Sequence, residues 1–248
     1  MNADARVTVP TYTAEQVREA ELPYLEAGVP LMARAASALA AVVQDEIGAW
    51  RQQPGSTRPR VLVLVGGGNN GGDALFAAAQ LARDGAEVLA VPLMNRQHEA
   101  GAEAARSAGV HFVRPEEAPV LKSAPDFVVD GILGTGTSSN PALRGTARRV
   151  IENLIADLDH AQTRVIAVDI PSGLHPDTGQ SDTAVLPADV TVTFGGVKQG
   201  LVAEGATALV GDLVLVDIGI GEQMAEAEPV GHMQGARLVT RAGQAMKE

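Results

Sequence analysis

Short β-branched apolar runs alternate with helix-spaced segments through most of this chain, and that alternation restricts the fold more than any single motif. "VLVLV" at 61–65, "EVLAVPL" at 87–93, "GVHFV" at 109–113, "DFVVD" at 126–130 and "RVIAVDI" at 164–170 read as strands. Between them lie "DALFAAAQLARDG", "QHEAGAEAARSAG" and "RGTARRVIENLIADL", each with apolar residues three or four apart, as on one helix face. Strand, helix and strand in repetition require crossover connections, and therefore a parallel sheet. The runs are continuously apolar, which fits a sheet covered by helices on both faces. "ADVTVTF" at 188–194 and "DLVLVDIGI" at 212–220 predict two further strands.

Ahead of the alternation, Thr13-Ala14-Glu15-Gln16 has the capping-box pattern and predicts a short helix beginning there. Pro30 opens a second helix, whose apolar residues Leu31, Ala35, Leu39, Val42, Val43, Ile47 and Trp50 run to the break at Pro54-Gly55. Length alone suits one α/β domain, here residues 1–221. The pattern fades after Gly221, so the tail 222–248 reads as a loose arm or a frayed helix. No internal repeat is present.

Charge and composition exclude several functions. The 19 basic and 30 acidic residues give a net charge of −11, so the field repels polyanions, and aromatic content of 3% leaves few rings to stack on bases. No nucleic-acid partner is expected. The chain has no cysteine, which rules out disulfides, thiolate nucleophiles and iron–sulfur clusters and fits the cytoplasm. No apolar run approaches the roughly 18 residues of a membrane helix, so no membrane partner is expected either.

Four segments could carry chemistry. In the first, Gly66, Gly68 and Gly71 satisfy G-x-G-x-x-G between a strand and a helix. A ribose-binding acid is missing from the end of the next strand, which finishes in Pro92-Leu93-Met94, so an ordinary NAD oxidoreductase loses support. The polar set Asn69, Asn70 and Asp73 distinguishes this turn, although Gly and Asn also serve simply as tight-turn residues. In the second, "DFVVDGILGTGTSSN", Asp130 closes a strand where open sheets bind ligands, or else caps a turn. In the third, "RVIAVDIPSGLHPDTG", a strand delivers Asp169 into a Pro-Ser-Gly turn, a rigid setting suited to acid/base work or to simple capping. No G-x-S-x-G is present, so Ser172 reads as an oxygen donor. In the fourth, "FGGVKQG", Lys198 stands among glycines, in reach of an anionic ligand or solvated at the surface. Asn70, Asp130 and Ser172 supply hard oxygens without His or Cys, which suits an alkali or alkaline-earth cation. The histidines show no ligand spacing.

With "GNNGGD", "D-x-x-x-G-x-G", "VDIPSG…DTG", "FGGVKQG" and a closing "DIGI" in this order, the chain resembles the YjeF amino-terminal domain family, from about Ala14 to Gly221. Ala33 and Ala36-Ser37 depart from its usual "LMExAG", Ala74 replaces a frequent Gly and Leu133 a frequent Phe. The resemblance implies a Rossmann-like three-layer αβα sandwich with a mostly parallel central sheet. It implies an NAD(P)H-hydrate epimerase acting on NADHX and NADPHX, a homodimer, a potassium ion, and a separate NAD(P)HX dehydratase working alongside. By the same resemblance Asn69, Asn70, Gly71, Gly72 and Asp73 hold substrate, and Gly134, Thr135, Gly136, Thr137, Ser138, Ser139 and Asn140 lie beside it. Asn70, Asp130 and Ser172 bind potassium; Asp169 contacts substrate and is the candidate acid/base, with Lys198 also toward the ligand. The competing expectation is a non-catalytic ligand-sensing or protein-binding module of the same fold.

Overall fold

The computed structural model describes residues 6–52, 58–116, 124–136, 140–158 and 162–239. Each apolar run of the sequence becomes a strand: β2 (Arg60–Val65), β3 (Glu87–Pro92), β4 (His111–Phe112), β5 (Phe127–Gly131), β6 (Arg164–Val168), β7 (Val190–Phe194) and β9 (Asp212–Val216). With β1 (Arg6–Tyr12), β8 (Val197–Lys198) and β10 (Gly231–Val239) they form one sheet, ordered β4-β3-β2-β5-β6-β7-β9-β10-β1-β8. Pairing is parallel except between β1 and β10.

Alternate side chains on each central strand enter opposite layers, as a pleated strand requires. Val61, Val63 and Val65 pack with α2 (Leu31–Trp50), α3 (Asn69–Arg83) and α4 (Glu99–Ser107), whereas Leu62 and Leu64 join Val150, Ile151 and Leu154 of α5 (Gly145–Asp157). The result is the expected three-layer sandwich. A third apolar cluster, including Val9, Leu201, Leu213 and Ala236, seals the end of the sheet that holds β1 and β10.

Helix α1 (Ala14–Glu26) starts where the capping box places it. The Thr13 hydroxyl accepts from Gln16 N at 3.1 Å, and Gln16 Oε1 accepts from Thr13 N at 2.8 Å. At thirteen residues it is longer than the short helix expected.

Up to Val239, the last described residue, the tail 222–248 departs from the expected loose arm or frayed helix. A short helix (Gly221–Glu226) is followed by β10, which pairs with β9 on one side and β1 on the other. Strand β1 was not foreseen either. Both carry alternating polar residues and so lack the continuous apolar run that marks the covered strands.

The sheet reverses its direction of growth at β2. The chain passes from β2 through α3 to β3 and β4, then returns to β5 on the other side of β2. Such a switch point opens a crevice at the carboxyl ends of the strands. Gly66 lies in that crevice, donating its amide to Gly131 O at 3.0 Å, so close that a side chain there would overlap the Ile132 carbonyl.

A candidate active site at the switch point

Asn70, in the first turn of α3, ties the crevice together. Its Nδ2 donates to Leu133 O at 2.9 Å and to Val168 O at 2.6 Å, linking the loop after β5 to the end of β6. Gly134 packs against its amide so tightly that a Cβ would collide with Oδ1. Asp130, with 0% exposure, accepts from Ser172 N at 2.9 Å and Ser172 Oγ at 2.6 Å. Ser172 Oγ in turn accepts from Leu133 N at 2.9 Å. The sequence-predicted trio therefore meets around the backbone of Leu133. Burial pushes the Asp130 carboxyl upward, and the Ser172 and Ile132 donors partly restrain it.

Asp169 follows β6 with φ 66°, a left-handed backbone in a residue other than glycine. Holding it there costs about 1–3 kcal/mol, a strain that tends to be kept at functional sites. Its Oδ1 accepts from Lys198 Nζ at 2.6 Å and from Thr193 Oγ1 at 3.1 Å. Lys198 is only 2% exposed, and its ammonium also reaches Phe194 O at 3.0 Å and Thr193 Oγ1 at 3.1 Å. It is thus a buried ion-pair partner and not the solvated lysine that the sequence left open.

Asp73, on the next turn of α3, is 7% exposed; its Oδ1 is buried and has no hydrogen-bond partner among the described residues. Burial first, then the charges of Asp169 and Glu21, raise its carboxyl well above the ordinary range. A cavity of about 260 Å³ is lined by Glu21, Asn69, Asn70, Asp73, Thr135, Asp169 and Lys198, with Val17, Leu31, Met32 and Phe194 supplying apolar wall. Beside it lies a second cavity of about 520 Å³ that shares Glu21, Leu25, Asn69, Asn70 and Thr135. This outer space is bordered by Gly67, Gly68, Gly134, Gly136, Arg18 and Arg96. It meets the amino terminus of α3, whose cap, Gly68, offers no side-chain acceptor to the free amides.

Of the remaining expected residues, Gly71, Gly72 and Asn140 line neither cavity. Gly71 and Gly72 are packing positions: a Cβ at Gly71 would collide with Gly66 O, and one at Gly72 would lie 3.0 Å from the His98 ring. Asn140 is exposed and its Oδ1 accepts from Ala142 N at 3.0 Å. Thr137, Ser138 and Ser139 lie outside the described residues. A concavity of about 610 Å³ at the opposite sheet edge contains Arg60, Asp126 and Arg164, charges already engaged in ion pairs and distant from this chemistry.

Sequence reasoning missed Glu21, Arg18, Arg96 and Thr193. For Glu21 a signal existed: the capping box fixes the phase of α1, and Glu21 lies one turn beyond buried Val17 on the face that lines the cavity. Burial pushes the Glu21 carboxyl upward, with Lys198 opposing and Asp169 adding to that shift.

The model of the YjeF-related protein N-terminus family matches residues 28–200. The chain belongs to this family. The YjeF-related span takes in the Asn70, Asp130, Asp169, Ser172 and Lys198 cluster but not Arg18 or Glu21, which lie ahead of it on α1. Proteins named NAD(P)H-hydrate epimerase from Microbacterium testaceum and Clavibacter sepedonicus are each 47% identical to it. The first aligns over 89% of this chain and 83% of its own length, the second over 88% and 93%. A bifunctional NAD(P)H-hydrate repair enzyme of Mycobacterium leprae is 38% identical over 84% of this chain, a match that spans 41% of the longer protein. A yeast protein of known crystal structure shares the fold, with TM-score 0.62 at 21% identity over 77% of this chain and 82% of its own.

Proposed function

We propose that this chain interconverts the R and S forms of NADH and NADPH hydrate, returning damaged cofactor to a form that a stereospecific dehydratase can repair. The observation that carries the reading is the convergence of Asp73, Asp169 and Lys198 in one cavity at the switch point, with an arginine-bordered cavity adjoining it. The epimerase name of the 47%-identical relatives supports it. A bare binding module would have no need of a strained, ion-paired carboxylate beside a second, unpartnered one.

The substrate's hydroxyl sits on the ring carbon next to the nicotinamide nitrogen. When that carbon–oxygen bond breaks with a proton delivered to oxygen, the nitrogen lone pair stabilises the resulting cation, and water can add from either face. Asp169, fixed by Lys198 and Thr193, supplies negative charge for the cation and accepts a proton from the entering water. The dinucleotide phosphates fit the outer cavity, where the α3 amides, Arg18 and Arg96 offer positive potential on an otherwise acidic protein.

The donor set at Asp130 fits potassium. It offers the bonded oxygens of Asp130 and Ser172, with the Asn70 amide oxygen beside Gly134 on the same loop, and no lysine or arginine side chain bonds the buried carboxylate among the described residues. Those three residues would hold the ion, which supplies positive charge that offsets Asp130 and favours an anionic substrate. The same reading includes a homodimer, a cytoplasmic setting and a separate dehydratase; the bifunctional relatives support the last of these. Among the described residues, no single helix is long and apolar enough to cross a membrane.

Chiral chromatography of the purified R hydrate, incubated near neutral pH with and without the protein, tests the proposal. Accelerated appearance of the S form supports it; an R-to-S rate equal to the protein-free control refutes it.

A further inference from the structure

Among the described residues, no hydrogen bond or ion pair accounts for the position of Asp73. It stands inside α3, past the capping positions, nearly buried, with Oδ1 lacking a partner among the described residues. Buried carboxyl oxygens are almost always bonded, and the exceptions gather where chemistry is done. The one ammonium in its cavity is fully committed: the three hydrogens of Lys198 Nζ are matched by Asp169 Oδ1, Thr193 Oγ1 and Phe194 O. Three carboxyl groups, Glu21, Asp73 and Asp169, thus share one cavity, and Lys198 pairs with only the last of them.

We propose that Asp73 is a catalytic residue of this site, the acid that protonates the departing hydroxyl while the Lys198-paired Asp169 acts as the base. The inference rests on the epimerase reading and assigns the two halves of its proton traffic. The Asp73 carboxyl proton passes to the hydroxyl oxygen, the carbon–oxygen bond breaks, and its electron pair leaves with water. The ring nitrogen pair closes a carbon–nitrogen double bond. A water then bonds to the opposite face of the same carbon, returning that pair to nitrogen, and its surplus proton goes to the Asp169 carboxylate. Proton exchange with solvent reprotonates Asp73 and deprotonates Asp169, and no oxidation or reduction occurs. Pairs of acids whose surroundings separate their proton affinities divide the work in this way.

Charged and titratable groups border the two cavities around Asp73, and among them Asp169 and Glu21 raise its carboxyl. Glu21 and Arg18 come from α1, Asp169 from the end of β6, Lys198 from β8, and His98 from the start of α4 beside Gly72, while α2 presents the uncharged Met32 and Ala35. Burial and the two carboxylates keep its proton on at pH values where an ordinary Asp has lost it.

The test is the pH profile of epimerisation in wild type, Asp73→Asn and Asp73→Glu, with thermal unfolding of each. The wild-type rate should fall on the alkaline side. D73N should lose about 100-fold or more in turnover, lose the alkaline limb, and melt no lower than wild type. D73N turnover within about threefold of wild type, or an alkaline limb that persists in it, overturns the assignment. If D73N does not fold, D73E decides: an alkaline limb with a moved midpoint supports the role, and a flat profile overturns it. Wild-type protein that fails to epimerise at any pH overturns the underlying reading instead, a result separable from loss of Asp73 alone.

Discussion

Lys198 and Asp169 form a buried ion pair with Nζ 2.6 Å from Oδ1, each contributed by a different strand end. Removing one member of such a pair leaves an uncompensated charge in a dry setting, at a cost of about 3–5 kcal/mol. Asp169→Asn should therefore lower the melting temperature by about 10 °C and turnover by about 10²–10⁴-fold. Asn tolerates the left-handed backbone, so strain is not the cause. Adding Lys198→Met should restore most of the melting temperature but none of the activity. Thermal unfolding and the epimerisation assay on the single and double variants check this.

Gly134→Ala should dislodge Asn70, because its new methyl would occupy the Asn70 amide oxygen's place. The loss of two hydrogen bonds predicts about 1–3 kcal/mol of destabilisation in denaturant titrations, with at least a tenfold fall in turnover. Gly205→Ala, which meets open space, should change stability by no more than about 0.5 kcal/mol.

Potassium should raise both melting temperature and turnover relative to tetramethylammonium at equal ionic strength, since only a small cation can join the Asp130, Ser172 and Asn70 oxygens. The stabilisation should grow with the logarithm of potassium concentration. Equal melting curves in the two salts would remove the cation from this site.

Arg96 borders the outer cavity and not the inner one that holds Asp73 and Asp169. Arg96→Ala should raise KM for NADPH hydrate about 10–100-fold, the worth of a charge-assisted hydrogen bond, with kcat nearly unchanged. A fall in kcat at constant KM would place Arg96 nearer the chemistry than the phosphates.

Stability should also respond to pH through Asp73. Its unfolded carboxyl titrates near pH 4, its folded one higher, so between those values the folded state holds the extra proton. The Asp73 contribution is therefore fully present below about pH 4 and is lost as pH rises through the folded value. D73N should match wild type in acid and become the more stable protein as pH rises; a melting-temperature difference independent of pH would contradict this.

Most of the sheet was legible because its signals are local. A covered parallel strand must be apolar on both sides, and a capping box is written in four adjacent residues, so β2, β5, β6 and α1 could be read directly. Strands β1 and β10 depend on each other and on a half-exposed antiparallel register, with a shift between Val7 and Val9, and neither presents an apolar run. In the site, Asn70, Asp130, Asp169 and Ser172 were visible because each stands at a strand-to-loop or loop-to-helix junction. The Lys198–Asp169 pair was not, since it spans two junctions whose distance only the fold determines. Glu21 is an ordinary helix residue until α1 is laid over the cavity.

Strand β10 makes the two ends of the described chain interdependent. It alone joins β9 to β1 in the sheet, and β1 leads directly into α1, which brings Arg18 and Glu21 to the two cavities. A chain cut back to Gly221 would keep every motif residue yet lose the clasp that seats this roof. Tags and truncations at the carboxyl side should therefore disturb catalysis from a distance, through a helix at the other end of the polypeptide.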